Sequence, residues 1–110
     1  MAMKILSQTS VAAAATGVST AVPANKEWVV SHVMVANKGA TAGSFKMYAC
    51  AAAAAAAVGN ALAIDCPLNG NESVPMGQGI TLAATDVLRY AATTCAVTFT
   101  IFGDERPVTP

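Results

Sequence analysis

Along most of this chain apolar and polar residues alternate with a period of two, and clusters of Gly, Pro, Asn and Asp interrupt the alternation at intervals of roughly 8 to 12 residues. Cys95 to Gly103 shows it most clearly: Cys95, Val97, Phe99 and Ile101 would turn inward, and Ala96, Thr98 and Thr100 outward. Ser44 to Ala49 repeats it, with Phe45, Met47 and Ala49 inward against Ser44, Lys46 and Tyr48. The longest β-rich run is Glu27 to Ala36, bounded by Pro23-Ala24-Asn25-Lys26 before and Asn37-Lys38-Gly39 after, and it reads as the central strand. Its two faces are less distinct than alternation predicts. Val29, Ser31, Val33 and Val35 lie at odd positions and Trp28, Val30, His32, Met34 and Ala36 at even ones, so apolar side chains point both ways. One face can line the domain's own core; the other needs a further cover.

Weaker strands fill the remainder. Lys4 to Val11 reads as a short polar-faced strand, at an edge or reaching onto a neighbour. Ala12 to Gly17 reads as a loop, because four alanines do not offset helix nucleation. Val18 to Val22 alternates until Pro23. Ala61 to Asp65 follows, then the Asn69-Gly70 turn, then Glu72 to Met76, which Pro75 assigns to an edge. Ile80 to Ala83 and Val87 to Ala91 precede the last strand, and the strands at 27–36 and 44–49 are expected to pair as a hairpin. Ala51 to Ala57 reads as a short helical turn, a low-complexity loop, or a run in which alanine stands for unassigned residues. The sum is an all-β fold: a single antiparallel β-sandwich, jelly-roll-like, of about eight strands, with an up-and-down barrel as the alternative. Residues 1–17 would be an N-terminal arm or edge strand, 18–103 the sandwich, and 104–110 a solvated C-terminal tail.

Composition narrows the partners. Net charge is zero, with six basic and six acidic residues in 110, and Lys4, Lys26, Lys38, Lys46, Arg89 and Arg106 are scattered. Phosphate neutralisation needs a basic patch, so nucleic acid is not an expected partner. Mean hydropathy is high at +0.52, yet much of it is alanine, and no run reaches the length of a membrane span. A chain with so little charge to hold it apart from others suits a subunit of an assembly. The N-terminus shows no signal-peptide pattern, so synthesis in the cytoplasm without export is expected, where Cys50, Cys66 and Cys95 would be free buried thiols.

Chemistry-bearing residues are few. His32 is the single histidine, mid-strand and on one face with Trp28, which favours a structural role. Ser31 or Ser44 with His32 and Asp65 could be assembled on paper into a hydrolytic triad, but no nucleophile elbow accompanies them. Glu27, Asp65, Glu72, Asp86, Asp104 and Glu105 lie beside turns, where carboxylates cap backbone donors. The three cysteines and His32 match no zinc spacing, and Gly77-Gln78-Gly79 precedes a strand, not the helix a phosphate loop needs. No catalytic residue, cofactor or metal ligand is assigned, and the chain is expected not to be an enzyme. Trp28, Tyr48 and Tyr90 are the rings a carbohydrate-stacking surface would use, which makes a glycan-binding module the alternative of a different class.

Four segments in this order carry a resemblance: Val22-Pro23-Ala24-Asn25-Lys26-Glu27-Trp28, Val35-Ala36-Asn37-Lys38-Gly39, Pro67-Leu68-Asn69-Gly70-Asn71-Glu72, and Ile80-Thr81-Leu82-Ala83-Ala84-Thr85-Asp86-Val87-Leu88. Followed by a final strand ending near Gly103, they resemble small β-sandwich virion proteins of tailed bacteriophages over residues 18 to 103; the alanine run departs from that pattern. The resemblance implies a non-enzymatic structural protein located in the virion. A capsid decoration (cement) protein is favoured, with a neck, tail or fibre component as the alternative. The implied partners are copies of itself, with a trimer expected, and the major capsid protein or other virion proteins; neither nucleic acid nor membrane is among them. Trp28, Val30, His32 and Met34 on the central strand, with Ile5 and Leu6 on the N-terminal strand, are the expected contact residues.

Overall fold

The computed structural model describes residues 4–37, 39–51, 61–76 and 80–108. Among them nine strands form: β1 (Lys4–Val11), β2 (Thr16–Val18), β3 (Lys26–Ala36), β4 (Gly43–Cys50), β5 (Ala61–Leu68), β6 (Ser73–Met76), β7 (Ile80–Leu82), β8 (Val87–Thr93) and β9 (Val97–Pro107). The expectations for Ala52 to Ala57 and for Gly77-Gln78-Gly79 lie outside the described residues.

Two antiparallel sheets face each other. The first runs β1-β9-β3-β6, with β7 also on β3, so that β6 and β7 share one lane; the second runs β2-β8-β4-β5. If that shared lane is taken as one interrupted strand, this is the eight-stranded jelly-roll order, and the sandwich expected from the alternation is present. The expected hairpin of β3 with β4 is not. β3 is bonded to β9 on one side and to β6 and β7 on the other, while β4 lies in the opposite sheet between β8 and β5. The chain therefore crosses from one sheet to the other after β3, and Asn37 anchors that crossing from a buried position. Its Nδ2 donates to the carbonyls of Thr41 at 2.7 Å and Asn69 at 3.2 Å, and its Oδ1 accepts from Gly39 N at 3.0 Å.

Of the two forms expected at the N-terminus, arm or edge strand, Lys4–Val11 takes the edge strand, paired to β9, and Thr16–Val18 pairs with β8 in the second sheet. The C-terminal end differs from expectation. The last strand continues past Gly103: Asp104 to Pro107 pairs with Val29 to Lys26, so the tail begins only beyond that strand. The charges of Asp104-Glu105-Arg106 suggest solvent, but the adjacent Glu105 and Arg106, on opposite faces of the strand, find partners within the sheet. Glu105 accepts from Trp28 Nε1 at 2.9 Å, and Arg106 donates to Glu27 at 2.9 Å.

The core lies between the sheets. Val33, Val35, Val97, Phe99 and Ile101 face Phe45, Met47, Leu88 and Tyr90, all buried. Phe99 is its centre: the Tyr90 ring stacks on it at 4.1 Å and 9°, and Phe45 meets it edge-on at 5.9 Å and 71°. The Tyr90 hydroxyl is buried without a hydrogen-bond partner among the described residues. Ser19 lies close by, but its hydroxyl donates to the Thr20 carbonyl and accepts from Leu88 N. Burial pushes the Tyr90 phenol well above its ordinary value, and the nearby Ser19 offsets this only in part.

The mixed faces of the central strand have a local cause. The β3–β9 register slips between Val30, opposite Gly103, and His32, opposite Phe102, which leaves Ser31 as an extra residue, a β-bulge. The slip inverts the parity: Trp28 and Val30 point into the core before it, Val33 and Val35 after it. β1 slips at the same level, between Ile5 and Ser7, so bulges flank β9 on both sides of Phe102. Gly103 is what permits this approach, because a Cβ there would lie 2.2 Å from the Val29 carbonyl oxygen.

Gly103→Ala is therefore expected to cost about 2 kcal/mol or more, read as a lowered urea midpoint. Tyr90 sets a limit at alkaline pH. Because the folded state holds the neutral phenol beyond pH 10, stability is unaffected below that value and falls as pH rises past it. Tyr90→Phe should flatten that limb relative to wild type, without loss of stability at neutral pH, in urea titrations run across the alkaline range.

Candidate functional site

The bulge at Ser31 divides the residues expected at an interface into two groups. Trp28 and Val30, 2 % and 1 % exposed, belong to the core and are removed from the contact surface, since parity inversion turned them inward. Leu6, at the β1 bulge, packs partly against the same core. His32, Met34 and Ile5 lie on the outward face of the first sheet: His32 and Met34 are half-buried, and Ile5 is 58 % exposed.

Register brings these residues into rows across three or four strands. Ile5 is opposite Phe102, and Phe102 opposite His32, whose ring stacks on it at 4.9 Å and 23°. The next outward row runs Gln8, Thr100, Met34 and Pro75; the one beyond it runs Ser10, Thr98, Ala36 and Ser73. Hydroxyls and amides in these rows are tied to each other. Gln8 Nε2 donates to Thr100 Oγ1 at 3.0 Å, and Ser10 Oγ lies 3.2 Å from Thr98 Oγ1. The band holds no Lys, Arg, Asp or Glu. The charged residues of this face, Glu27, Arg106 and Asp104, sit at one end, and the first two form an ion pair. Sequence inspection missed Phe102, although the outward parity of Thr98 and Thr100 already pointed to it.

The catalytic combinations considered from the sequence do not assemble. Ser31 Oγ is 3.3 Å from His32 Nδ1, but Asp65 is on β5 in the other sheet, where it pairs with Lys46 at 3.6 Å. Ser44 is on β4 and hydrogen-bonds Thr93. Glu72 and Asp86 act as turn caps, accepting from Asn69 N at 2.8 Å and Ala83 N at 2.9 Å. Among the described residues no three or more His, Cys, Asp or Glu side chains gather at metal-binding distance. Cys50 and Cys95 are buried and Cys66 half-buried. A cleft of about 240 Å³ opens between the end of β4, at Ala49 and Cys50, and β7, at Ile80 to Leu82, with Asp86 on its wall. Of the residues weighed for chemistry it contains Cys50 and the Asp86 cap. Of the three rings a carbohydrate platform would use, Trp28 and Tyr90 are in the core, and Tyr48 is half-buried on the outward face of the second sheet. Among the described residues no helix is long and apolar enough to cross a membrane.

Comparison with known protein families and with curated proteins found no match to this chain.

The two groups of residues separate in a stability measurement. Trp28→Ala should cost about 3–5 kcal/mol, since it opens a core cavity and strands Glu105. Met34→Ala, on the outward band, should cost less than about 1 kcal/mol, both read from urea unfolding followed by circular dichroism.

Proposed function

We propose that this chain is a structural subunit of a tailed-bacteriophage virion, a capsid decoration protein that binds across neighbouring capsid subunits and resists the outward pressure of packaged DNA. The uncharged outward band of the first sheet, Ile5-Phe102-His32 with Met34 and Ala36 beyond, carries this reading. An apolar and hydroxyl-lined surface held on rigid strands gains free energy by being covered, at about 25 cal/mol per Å² of apolar area, and loses little side-chain entropy in doing so. The resemblance of the turn motifs to phage virion sandwiches supports the same reading.

The size of the band sets how it works. Four lanes spaced by about 4.8 Å and some five residues at about 3.3 Å give roughly 300 Å². A stable protein–protein contact buries about 800 Å² per partner, so one copy on this face alone would bind weakly. Adhesion must then come from repetition: many copies on a symmetric lattice, or a second contact on the same subunit, turn a weak surface into a firm one.

The test is binding to purified heads lacking the protein, measured by co-sedimentation. Wild type should bind, and Met34→Glu should bind at least about tenfold more weakly, the equivalent of about 1.4 kcal/mol, with an unchanged circular dichroism spectrum. Absence of binding to heads, with recovery on tails or fibres, would move the subunit to another virion position. Absence of binding to any virion part would end the proposal.

A further inference from the structure

Each sheet edge offers unpaired main-chain N–H and C=O groups, and three of the four edges here are poorly suited to pairing. The β6/β7 lane is broken into pieces of four and three residues and contains Pro75. β5 carries Pro67 and a register shift, with Asp65 at a φ of 51°. β2 is three residues long. The fourth edge, β1, differs: Ser7 to Val11 lies in unbroken register against Ile101 to Val97, without proline and without a charge. Among the described residues β1 pairs with β9 alone. The segment beside it reaches β1 through a side chain, Thr20 N donating to Ser7 Oγ at 3.2 Å, and among the described residues no main-chain hydrogen bond outside the β1–β9 ladder involves Lys4 to Val11.

We propose that this edge is closed by β1 of a second copy, running antiparallel about a two-fold axis, so that the first sheets of two subunits merge into one. An antiparallel edge is self-complementary: under a two-fold rotation its donors meet the acceptors of an identical edge, and no other sequence is required. The charges agree with it. Lys4 is the single charge of β1 and sits at one end, so the two lysines of such a pair lie at opposite ends, and a chain of zero net charge has no long-range repulsion to overcome. Ile5, 58 % exposed on this strand, then extends the outward band of one subunit towards that of the next. This inference rests on the reading of the chain as an assembly subunit. It supplies the second contact that a band of this size needs, and it sets a pair in place of the expected trimer.

The experiment measures mass in solution by light scattering for wild type, Ser10→Lys, Ser10→Glu and an equimolar mixture of the two variants. Ser10 is exposed and faces away from the core, so both variants should fold, which circular dichroism checks. Wild type should run as a dimer, each variant should associate at least about tenfold more weakly, because like charges meet across the pair, and the mixture should regain the dimer by opposite charges. A monomeric wild type, a trimer, or variants that associate as wild type does would each overturn the proposal. So would a monomer whose β1 edge is needed only for binding heads, since the edge would then take a strand from another protein. Met34→Glu separates this inference from the functional reading: it should keep the dimer while losing heads. A wild-type monomer that still binds heads defeats the dimer alone, and a dimer that binds no virion part defeats the functional reading alone.

Discussion

The pairing of β9 between β1 and β3 is the constraint from which the rest of the architecture follows. β9 is bonded to β1 from Val97 to Gly103 and to β3 from Thr98 to Pro107, and both neighbours bulge at the level of Phe102, one at Leu6 and the other at Ser31. Each bulge adds a residue to the neighbour without adding one to β9, so inward parity is recovered on the far side of the slip. Without the slip at Ser31, either Trp28 and Val30 or Val33 and Val35 would face solvent. With it, all four enter one core. The close approach this requires is possible only where β9 has no side chain, and Gly103 is in that place.

The same bulges create the outward surface. Inverting parity sends the large aliphatic and indole side chains inward and leaves His32, Met34 and Ala36 outside, beside Phe102 and Ile5. What remains outside is a band of apolar, hydroxyl and amide side chains without Lys, Arg, Asp or Glu. The hydrogen bonds among Gln8, Thr100, Ser10 and Thr98 satisfy its polar groups laterally, which lowers the desolvation cost of covering them. The packing of the core and the outward band thus depend on one backbone irregularity, and they are the two sides of a single sheet.

Charge is handled locally. Glu27 with Arg106 and Lys46 with Asp65 form partly exposed pairs, which solvent screens and which contribute little to stability. Glu105 with Trp28 is of another kind, since it satisfies the indole of a buried ring at the open end of the sandwich. Asn37 does the corresponding work at the opposite end of β3, where one side-chain hydrogen bond reaches Asn69 of the β5–β6 turn and two more hold Gly39 and Thr41. The central strand is therefore clamped at both ends by polar side chains and filled between them by valines.

Period-two alternation and turn chemistry were enough to determine an antiparallel sandwich from sequence, because inward and outward sets in Ser44 to Ala49 and Cys95 to Ile101 are set by side-chain hydrophobicity alone. The edge position of Ser73 to Met76 was equally legible, since Pro75 lacks the N–H that a central strand must supply. What only the tertiary structure decided was pairing. Whether β3 and β4 pair as a hairpin or lie in opposite sheets depends on which strands compete for the edges of β3, and β9, some sixty residues further along the chain, takes one of them. Nor was the bulge at Ser31 legible: it exists because β9 opposite lacks a matching residue, a relation between two distant segments that no local pattern encodes. That is why Trp28 and Val30 were placed on the surface from sequence, and why the contact band could be drawn only after the register was known.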